Sequence, residues 1–349
     1  MTGPEVLDHR VPESIEAPSL RWGILGTGWI AERFAASLRA HTRQRITAVA
    51  ARDPEKTADF AQRHGIDRVH LTVADLVSDP RVDVVYVATP HTEHAVGAHE
   101  AIDAGKHVLI EKPMALNAAD ARRLVEHAER AGVFCAEALW TFFLPRFDVV
   151  RRLIGSGAIG ELRTVLAEYG EYLPDDHRAM RPELAGGSLL DLGTYPVALA
   201  TWLLGETSFV SATGADNRFG VNAQTGAIVA SEAGAIAVLH TSLIASTPSA
   251  ATIVGSSGVI ELPGPFYQPG DVFLRTVGGE LIARFEEPAV AHDALHFEAS
   301  AVARDIASGA TQSSVRPLAD SVRFLEVMDA VRASAGIRFR DEETRVSSR

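Results

Sequence analysis

The chain has 349 residues, 46% of them hydrophobic, and its 33 basic and 45 acidic side chains give a net charge of −12. This length and apolar content predict a folded protein of about two domains and exclude an intrinsically disordered chain. The negative charge argues against a nucleic-acid partner, and the single cysteine excludes a disulfide framework. No apolar run reaches the roughly 18–20 residues of a membrane-spanning helix, so we expect a cytoplasmic protein without a membrane partner.

The first part of the chain alternates short apolar runs with amphipathic stretches. Residues 1–19 are polar and contain several prolines, which predicts a disordered extension. The pattern that follows predicts strands over residues 20–25, 46–51, 84–88, 107–110 and 133–136, and helices over residues 29–40, 54–64, 93–104 and 117–131. Apolar strands separated by helices are typical of a doubly wound parallel sheet, so residues 20–145 are predicted to form a Rossmann domain.

The second part of the chain follows a different pattern. It predicts a strand over residues 163–172, a helix within 186–204, a succession of strands over 209–285, and helices over 292–308 and 317–335. Short polar turns such as Ser256-Ser257-Gly258 separate the strands, which favours antiparallel pairing. We therefore expect residues 146–340 to form an α+β domain with a large open, mainly antiparallel sheet, and the polar residues 341–349 to be frayed.

A glycine-rich loop lies directly between the first predicted strand and the first predicted helix. Its sequence, Gly26-Thr27-Gly28-Trp29-Ile30-Ala31, matches the GxGxxG/A pattern of dinucleotide-binding folds. Gly26 allows the tight turn, Gly28 lets a pyrophosphate approach the backbone, and Ala31 lets the helix pack closely on the strand. The helix N-terminus supplies amide donors to the phosphates. Methyltransferases use similar loops and are the alternative class for this motif.

The end of the second predicted strand bears on the choice between the two nicotinamide cofactors. An NAD site usually carries an acidic residue there, which binds the ribose 2′-hydroxyl. This chain has Ala51-Arg52-Asp53 at that point. The Arg52 guanidinium suits a 2′-phosphate, and Asp53 is better explained as the N-cap of the next helix. We therefore expect NADP as the preferred cofactor, with NAD as the alternative.

Two further segments carry side chains capable of acid–base chemistry. Glu111-Lys112-Pro113 follows a buried strand at the carboxyl edge of the sheet, where open α/β sheets bind ligands and where a desolvated lysine gives up its extra proton more easily. Asp191 and Tyr195 are four residues apart, and on a helix they would share one face. Taken alone, these segments are equally compatible with a surface Glu-Lys pair and an ordinary helix end.

In combination these motifs resemble the Gfo/Idh/MocA oxidoreductase family, which includes glucose–fructose oxidoreductase and inositol dehydrogenase. The resemblance extends from about residue 20 to residue 339 and rests on the glycine loop, Thr89-Pro90, His94, Glu111-Lys112-Pro113, Gly186-Gly187, Asp191 and Tyr195. The segment Glu137-Ala138-Leu139-Trp140-Thr141 is similar to the dimeric dihydrodiol dehydrogenases and the NADP-dependent D-xylose dehydrogenases.

The resemblance implies a role for each matched residue. It implies catalytic roles for Lys112, Asp191 and Tyr195, cofactor contacts for Thr89, Pro90, His94, Glu111 and Lys112, and a substrate pocket lined by Trp140, Phe142 and Tyr195. Members of the subgroup usually have arginine after Trp-Thr, whereas this chain has Phe142, which predicts a more apolar pocket. Relatives pair through the open sheet, which implies a homodimer formed by the C-terminal domain.

We expect the enzyme to transfer a hydride between nicotinamide and a hydroxyl carbon of a sugar, polyol or cyclic diol. Lys112 or Tyr195 would remove the hydroxyl proton, with Asp191 orienting the pair, and the sequence leaves open which of the two is the immediate base. Two functions remain alternatives on the same fold: a non-enzymatic NADP-binding regulator and an NAD-dependent glycoside hydrolase.

The 13 histidines raise the question of a metal site. His91, His94 and His99 lie close together in the sequence, but no cysteine or carboxylate set completes a closed coordination shell. We therefore expect no metal, and we expect Cys135, at a predicted strand end, to be buried and inert.

Overall fold

The computed structural model describes residues 4–339. These residues form two compact units. The first unit contains Val11–Leu144 and Val290–Val322, and the second contains Pro145–Ala289 with residues 4–10 and 323–339. We call Val290–Val322 the return segment. The return segment differs from the predicted C-terminal domain of residues 146–340, because helical periodicity identifies a helix without showing which core the helix packs on.

The segment before the first predicted strand contains regular structure where it is described. Glu5–Val6 forms strand β1, which pairs in parallel with Ala283 and Arg284. A short 3₁₀ helix follows at Ser14–Glu16, and the Ser14 hydroxyl lies 2.7 Å from Nδ1 of His296. The structure therefore differs from the expected disordered extension over residues 5–16. Contacts to residues far away in the chain order this segment, and composition does not reveal such contacts.

The first unit is built around a parallel sheet. Its strands are β2 (Arg21–Leu25), β3 (Arg45–Ala50), β4 (Arg68–His70), β5 (Val84–Val87), β6 (His107–Glu111) and β7 (Cys135–Ala138), in the spatial order β4-β3-β2-β5-β6-β7. Its helices before residue 144 are α1 (Trp29–His41), α2 (Pro54–His64), α3 (Val73–Val77), α4 (His94–Asp103) and α5 (Ala118–Ala131). Every residue of β5 is buried, as expected for a strand covered on both faces. The predicted doubly wound sheet is confirmed.

Local capping residues explain why several helix ends were predictable. Asp53 accepts a hydrogen bond from the backbone N–H of Lys56, which caps α2, and Gly65 ends that helix with a φ of 64°. Asn117 and Gly132 do the same for α5. The short elements β4 and α3 were missed, because 3 and 5 residues are too few to establish a periodic pattern.

The second unit begins with helix α6 (Pro145–Gly155) and contains a large mixed sheet. The next elements are β8 (Leu162–Gly170), α7 (Ser188–Asp191), α8 (Thr194–Leu204), β9 (Thr207–Asp216), β10 (Asn222–Ser231), β11 (Ile236–Ser242), β12 (Ala251–Gly255), β13 (Gly258–Leu262), β14 (Val272–Thr276) and β15 (Leu281–Phe285). Among the described strands the order is β1-β15-β14-β13-β12-β8-β11-β10-β9. Only the β1–β15 and β8–β11 neighbours are parallel within this described sheet, so the prediction of a mainly antiparallel sheet is confirmed.

Helices cover one face of this sheet and complete the chain. Helix α8 is buried over most of its length and packs on β8 and β11. The last helices of the described residues are α9 (His296–Ala307) and α10 (Leu318–Ala335), and α9 packs on α1 of the first unit. The predicted frayed residues 341–349 lie outside the described residues.

Candidate active site

The glycine loop joins β2 to α1 with the geometry that a dinucleotide requires. Gly26 has a φ of 108°, and a Cβ there would lie 2.4 Å from the carbonyl oxygen of Ala88, so only glycine fits. Gly28 is the N-cap of α1, and nothing lies within 4 Å of the position that its Cβ would occupy. The first turn of α1 therefore borders an open space in which a pyrophosphate can approach the backbone amides.

His94 joins two loops at the carboxyl edge of the parallel sheet. Its Nε2 lies 2.8 Å from the carbonyl oxygen of Thr89, after β5, and its Nδ1 lies 2.8 Å from that of Pro113, after β6. One buried imidazole thus fixes both loops. The Thr89 hydroxyl is buried and, within the described part of the chain, has no hydrogen-bond partner. This orphaned group and the open space at Gly28 fit a nicotinamide dinucleotide.

Glu111 holds the backbone of the candidate catalytic lysine. Its Oε1 accepts a hydrogen bond from the Tyr86 hydroxyl at 2.5 Å, and its Oε2 accepts one from the backbone N–H of Lys112 at 3.1 Å. Burial, and then the charge of Glu111, raise the pKa of the fully buried Glu298 well above its usual value. Burial and the charge of Glu111 therefore both favour the protonated form of Glu298.

A buried ion pair supports the same loop from β7. Oε2 of Glu137 accepts hydrogen bonds from Nε and Nη2 of Arg316 at 3.2 and 3.1 Å, and from the Ser321 hydroxyl at 2.7 Å. Its Oε1 accepts the backbone N–H of Met114, in the loop after β6, at 3.0 Å. The Arg316 guanidinium also lies 4.8 Å from the centre of the Phe142 ring. Glu137 therefore ties the return segment to the loop that carries the lysine.

Two tryptophans enclose a histidine of the return segment. The ring of His292 stacks on Trp140 with centroids 4.9 Å apart, and it meets Trp29 edge-on at 4.6 Å. Burial, and then the positive charges of Arg33 and Lys112, lower the pKa of His292 to about 4. The imidazole is therefore neutral at physiological pH and lies within electrostatic range of both cations.

Asp191 and Tyr195 lie on two different helices of the second unit. Helix α7 ends at Asp191 and α8 begins at Thr194. Between them, a Cβ at Gly193 would lie 2.6 Å from the carbonyl oxygen of Leu189, so the close approach of the two turns needs glycine. The prediction that both side chains share one helical face does not hold, because this break interrupts the helix.

The surroundings of these two residues are well defined. Asp191 is buried, and its Oδ1 forms an ion pair with Nη2 of Arg178 at 2.6 Å. The ring of Tyr195 stacks on Tyr267 with a centroid distance of 4.4 Å, and Tyr267 stacks on Tyr169 at the same distance. Two aromatic contacts in series hold the Tyr195 phenol in one orientation within this unit, as a proton-transferring group requires.

Comparison with protein families decides the identity of this fold. The profile of the Gfo/Idh/MocA oxidoreductase family, with an NAD-binding Rossmann fold, matches residues 20–139, and the profile of its C-terminal domain matches residues 147–261. The chain belongs to the Gfo/Idh/MocA oxidoreductase family. The predictions that it is an enzyme, that it is an NAD(P)-dependent oxidoreductase, and that it is related to this family are confirmed.

Individual members of the Gfo/Idh/MocA family match over nearly the whole chain. The trans-1,2-dihydrobenzene-1,2-diol dehydrogenase of Bos taurus is 32% identical over 332 residues, covering 92% of this chain and 98% of its own. The Homo sapiens enzyme of the same name is 32% identical over 333 residues, with the same coverage. A 3-ketoreductase from Actinomadura kijaniata, solved with NADP and TDP-benzene, has a TM-score of 0.81 at 28% identity, covering 91% of this chain and 98% of its own.

The structure distributes the predicted site residues of this family member over both units. The glycine loop, Thr89, Pro90, His94, Glu111, Lys112 and Trp140 lie in the first unit, where the contacts described above connect them. Asp191 and Tyr195 lie in the second. Arg52 is exposed just beyond β3. Phe142 is buried against Arg316. Their assigned functions stay predictions.

Sequence reasoning missed several residues of this site. Glu298, Arg316 and His292 lie on the return segment, and the sequence there indicated only that His292 begins a predicted helix. Arg178 lies in a short 3₁₀ helix, Arg178–Met180, whose sequence has no recognisable motif. The contacts of these residues join positions that are far apart or irregularly spaced in the sequence. A periodic pattern therefore cannot predict them.

Membrane-spanning helices, metal sites and the single cysteine are the remaining features that the sequence raised. No helix within residues 4–339 is long and apolar enough to cross a membrane. Over the same residues, no group of three or more His, Cys, Asp and Glu side chains is arranged to hold a metal ion. Cys135 is buried as predicted, and burial raises the pKa of its thiol to about 12, so it is a poor nucleophile.

Proposed function

We propose that the chain is a dehydrogenase that oxidises a secondary alcohol or cyclic hemiacetal carbon of a sugar or cyclic diol, with NADP as its preferred cofactor. One observation carries the proposal: the charge of the half-buried Lys112, after β6, acts on His292, and the ring of His292 contacts Trp29 in the first turn of α1. This electrostatic link supports a proton-transferring group near the predicted dinucleotide loop. The names of the relatives, diol dehydrogenase and ketoreductase, support the same reaction class.

In the proposed reaction the cofactor accepts the hydride, and residues of the chain bind the cofactor and transfer the proton. Nicotinamide, when bound, supplies the hydride acceptor. The amides at the start of α1 hold the pyrophosphate, and Thr89 offers its hydroxyl to the ribose. Lys112 or Tyr195 removes the proton of the substrate hydroxyl, and the other stabilises the developing oxyanion. Asp191, fixed by Arg178, orients this pair electrostatically.

A substrate panel tests the reaction class. Aldoses, inositols and dihydrodiols are incubated with the protein and either NADP or NAD, and the absorbance of reduced nicotinamide is followed. We expect reduction with at least one of these polyhydroxylated compounds. Tightly retained NAD, release of sugar from a glycoside and no net reduction would instead favour the hydrolase, and no turnover of any compound would contradict the proposal.

Arg52 is the proposed determinant of the NADP preference. It is exposed immediately after β3, while Asp53 is engaged in capping α2. Because a guanidinium–phosphate hydrogen bond is charge-assisted, Arg52→Ala is expected to raise the KM for NADP about tenfold and to leave the KM for NAD unchanged. Arg45→Ala, at the amino end of the same strand, is the matched control and should change neither value. A wild-type preference for NAD would contradict this assignment.

We infer that the open face of the second unit's sheet forms a homodimer. Leu166, Val238 and Ile228 are 46%, 46% and 45% exposed. They are direct neighbours across β8, β11 and β10, because Val238 is paired with both Leu166 and Ile228. A contiguous apolar row on one face of a sheet favours burial against a second subunit.

A single charge should disrupt that dimer. Val238→Lys places an ammonium in the centre of the apolar row, where a partner subunit would have to desolvate it. We expect sedimentation velocity at micromolar concentration to give a dimer for the wild type and a monomer for this variant. Val277→Lys, at a position 68% exposed and beyond the end of β14, should remain dimeric. A monomeric wild type would contradict the inference.

The cellular compartment and the binding partners of the protein are also proposals. A single, buried, free cysteine suits a reducing cytoplasm. The net charge of −12 argues against a nucleic-acid partner, so we propose that the partners are the cofactor, a small polyol or diol, and a second copy of the chain.

A further inference from the structure

His292 occupies an unusual position at the start of the return segment. Its ring lies between Trp140 and Trp29, and Trp29 directly follows Gly28 in the glycine loop. The preceding residue, Ala291, has a φ of 47°, in the left-handed region that residues with a side chain rarely adopt. Such backbone strain persists only where the surroundings enforce it, and it is frequent at functional sites.

Within residues 4–339, the protein makes no use of the polar atoms of this imidazole. Among the described residues, no hydrogen bond or ion pair involves the His292 side chain, although it is half-buried. Arg33 and Lys112 are close enough to disfavour its protonated form. A neutral imidazole has one N–H donor and one nitrogen acceptor, and here both remain available to a ligand.

A second histidine in the return segment, His296, has a structural role and provides a comparison. His296, one helical turn further on, lies 2.7 Å from the Ser14 hydroxyl through its Nδ1, and its backbone N–H donates to the Ser37 hydroxyl at 2.9 Å. Its ring packs against Phe297. The side chain of His296 is thus satisfied by the protein, whereas His292 presents two polar atoms without a described partner, within electrostatic range of Lys112.

We propose that His292 is a substrate-binding residue that exchanges hydrogen bonds with a hydroxyl group of an uncharged vicinal diol or sugar. A hydroxyl both donates and accepts, so it matches a neutral imidazole, whereas a carboxylate or phosphate would only accept. Trp29 is 58% exposed and supplies an apolar wall for the hydrocarbon face of a ring. This inference rests on the proposed function and specifies the substrate group that the site recognises.

The kinetic test uses variants that distinguish hydrogen bonding by the His292 nitrogens from packing of its ring. His292→Phe keeps an aromatic ring between the two indoles and removes both polar atoms, and His292→Gln keeps a donor and an acceptor. We expect His292→Phe to raise the KM for the diol or sugar about tenfold with kcat within about threefold, since one substrate hydrogen bond is lost. His292→Gln should recover part of that loss. His296→Phe is the matched control and should leave KM unchanged.

A binding test separates this inference from the proposed reaction. The wild-type protein saturated with NADPH is titrated with trans-cyclohexane-1,2-diol or D-xylose by calorimetry, which needs no turnover, and NADPH binding is measured through tryptophan fluorescence. We expect the dissociation constant of the diol or sugar to rise about tenfold in His292→Phe and that of NADPH to stay the same. Binding that depends on His292 without any turnover would retain the inference and reject the proposed reaction.

Two results would overturn the assignment of His292. One is an unchanged KM and unchanged diol or sugar affinity in His292→Phe. The other is a weaker affinity for NADPH with an unchanged substrate KM, which would show that the imidazole serves the cofactor.

Discussion

Replacing Lys112 with methionine is expected to lower kcat by at least ~10²-fold while leaving the dissociation constant of NADP nearly unchanged. Methionine fills the space of the aliphatic stem and removes the group that exchanges the proton. The backbone of this residue is held by Glu111 and by the His94 bridge to Pro113, and neither contact uses the Lys112 ammonium. The fold of the loop should therefore survive the substitution. Steady-state kinetics and fluorescence titration of the cofactor measure the two effects.

Another lysine near the same strand provides the control. Nζ of Lys106, just before β6, donates to the carbonyl oxygens of Asp79 and Val82 at 2.9 and 2.8 Å, so its role is structural. Lys106→Met should lower the melting temperature and leave kcat largely intact. Near-native turnover of Lys112→Met would remove Lys112 from the reaction.

The variant Tyr195→Phe tests whether Tyr195 or Lys112 is the immediate base. Loss of the hydroxyl should also cost at least ~10²-fold in kcat, while the ring stack on Tyr267 is retained. The pH dependence of kcat/KM then distinguishes the roles, since removal of the immediate base abolishes the acidic limb. If the two groups titrate as a coupled pair, each single variant shifts that limb instead.

The sequence predicted those parts of the fold whose causes are local. Asp53 and Gly65 define α2, and the fully apolar β5 is recognisable as a buried strand, because each depends on neighbouring residues. The glycine loop was predictable for the same reason. Strand β7 was placed two residues too early, since the apolar run Val133–Phe134 lies before the residues that pair with β6.

The site was predictable only where a motif is contiguous. Glu111 and Lys112 were found in this way. The helix break after Asp191 depends on the contact between Gly193 and Leu189, which helical spacing does not reveal. His292 and Arg316 reach the site through the return segment, and Arg316 is 179 positions from the carboxylate that it binds. Long-range packing of this kind leaves no periodic signal in a single sequence.

That long-range ion pair provides the largest expected effect on stability. Glu137 and Arg316 are almost fully buried, and their charges compensate each other. Arg316→Met leaves the Glu137 carboxylate buried without its cation, and removing one partner of a buried pair typically costs about 3–5 kcal/mol. For a protein of this size we expect a fall in melting temperature of roughly 4–7 °C, measured by calorimetry. Arg63→Met, which breaks only exposed ion pairs, should change it by less than about 3 °C.

The double variant decides whether the loss arises from the pair or from the packing of the arginine. Glu137→Gln keeps an acceptor for the backbone N–H of Met114 but leaves the Arg316 charge uncompensated, so alone it should destabilise to a similar extent. Combining it with Arg316→Met removes both charges, and the double variant should then be more stable than the sum of the two single effects predicts. Strict additivity would mean that the two charges are not coupled. In that case Arg316 would stabilise the return segment through its contact with the Phe142 ring rather than through Glu137.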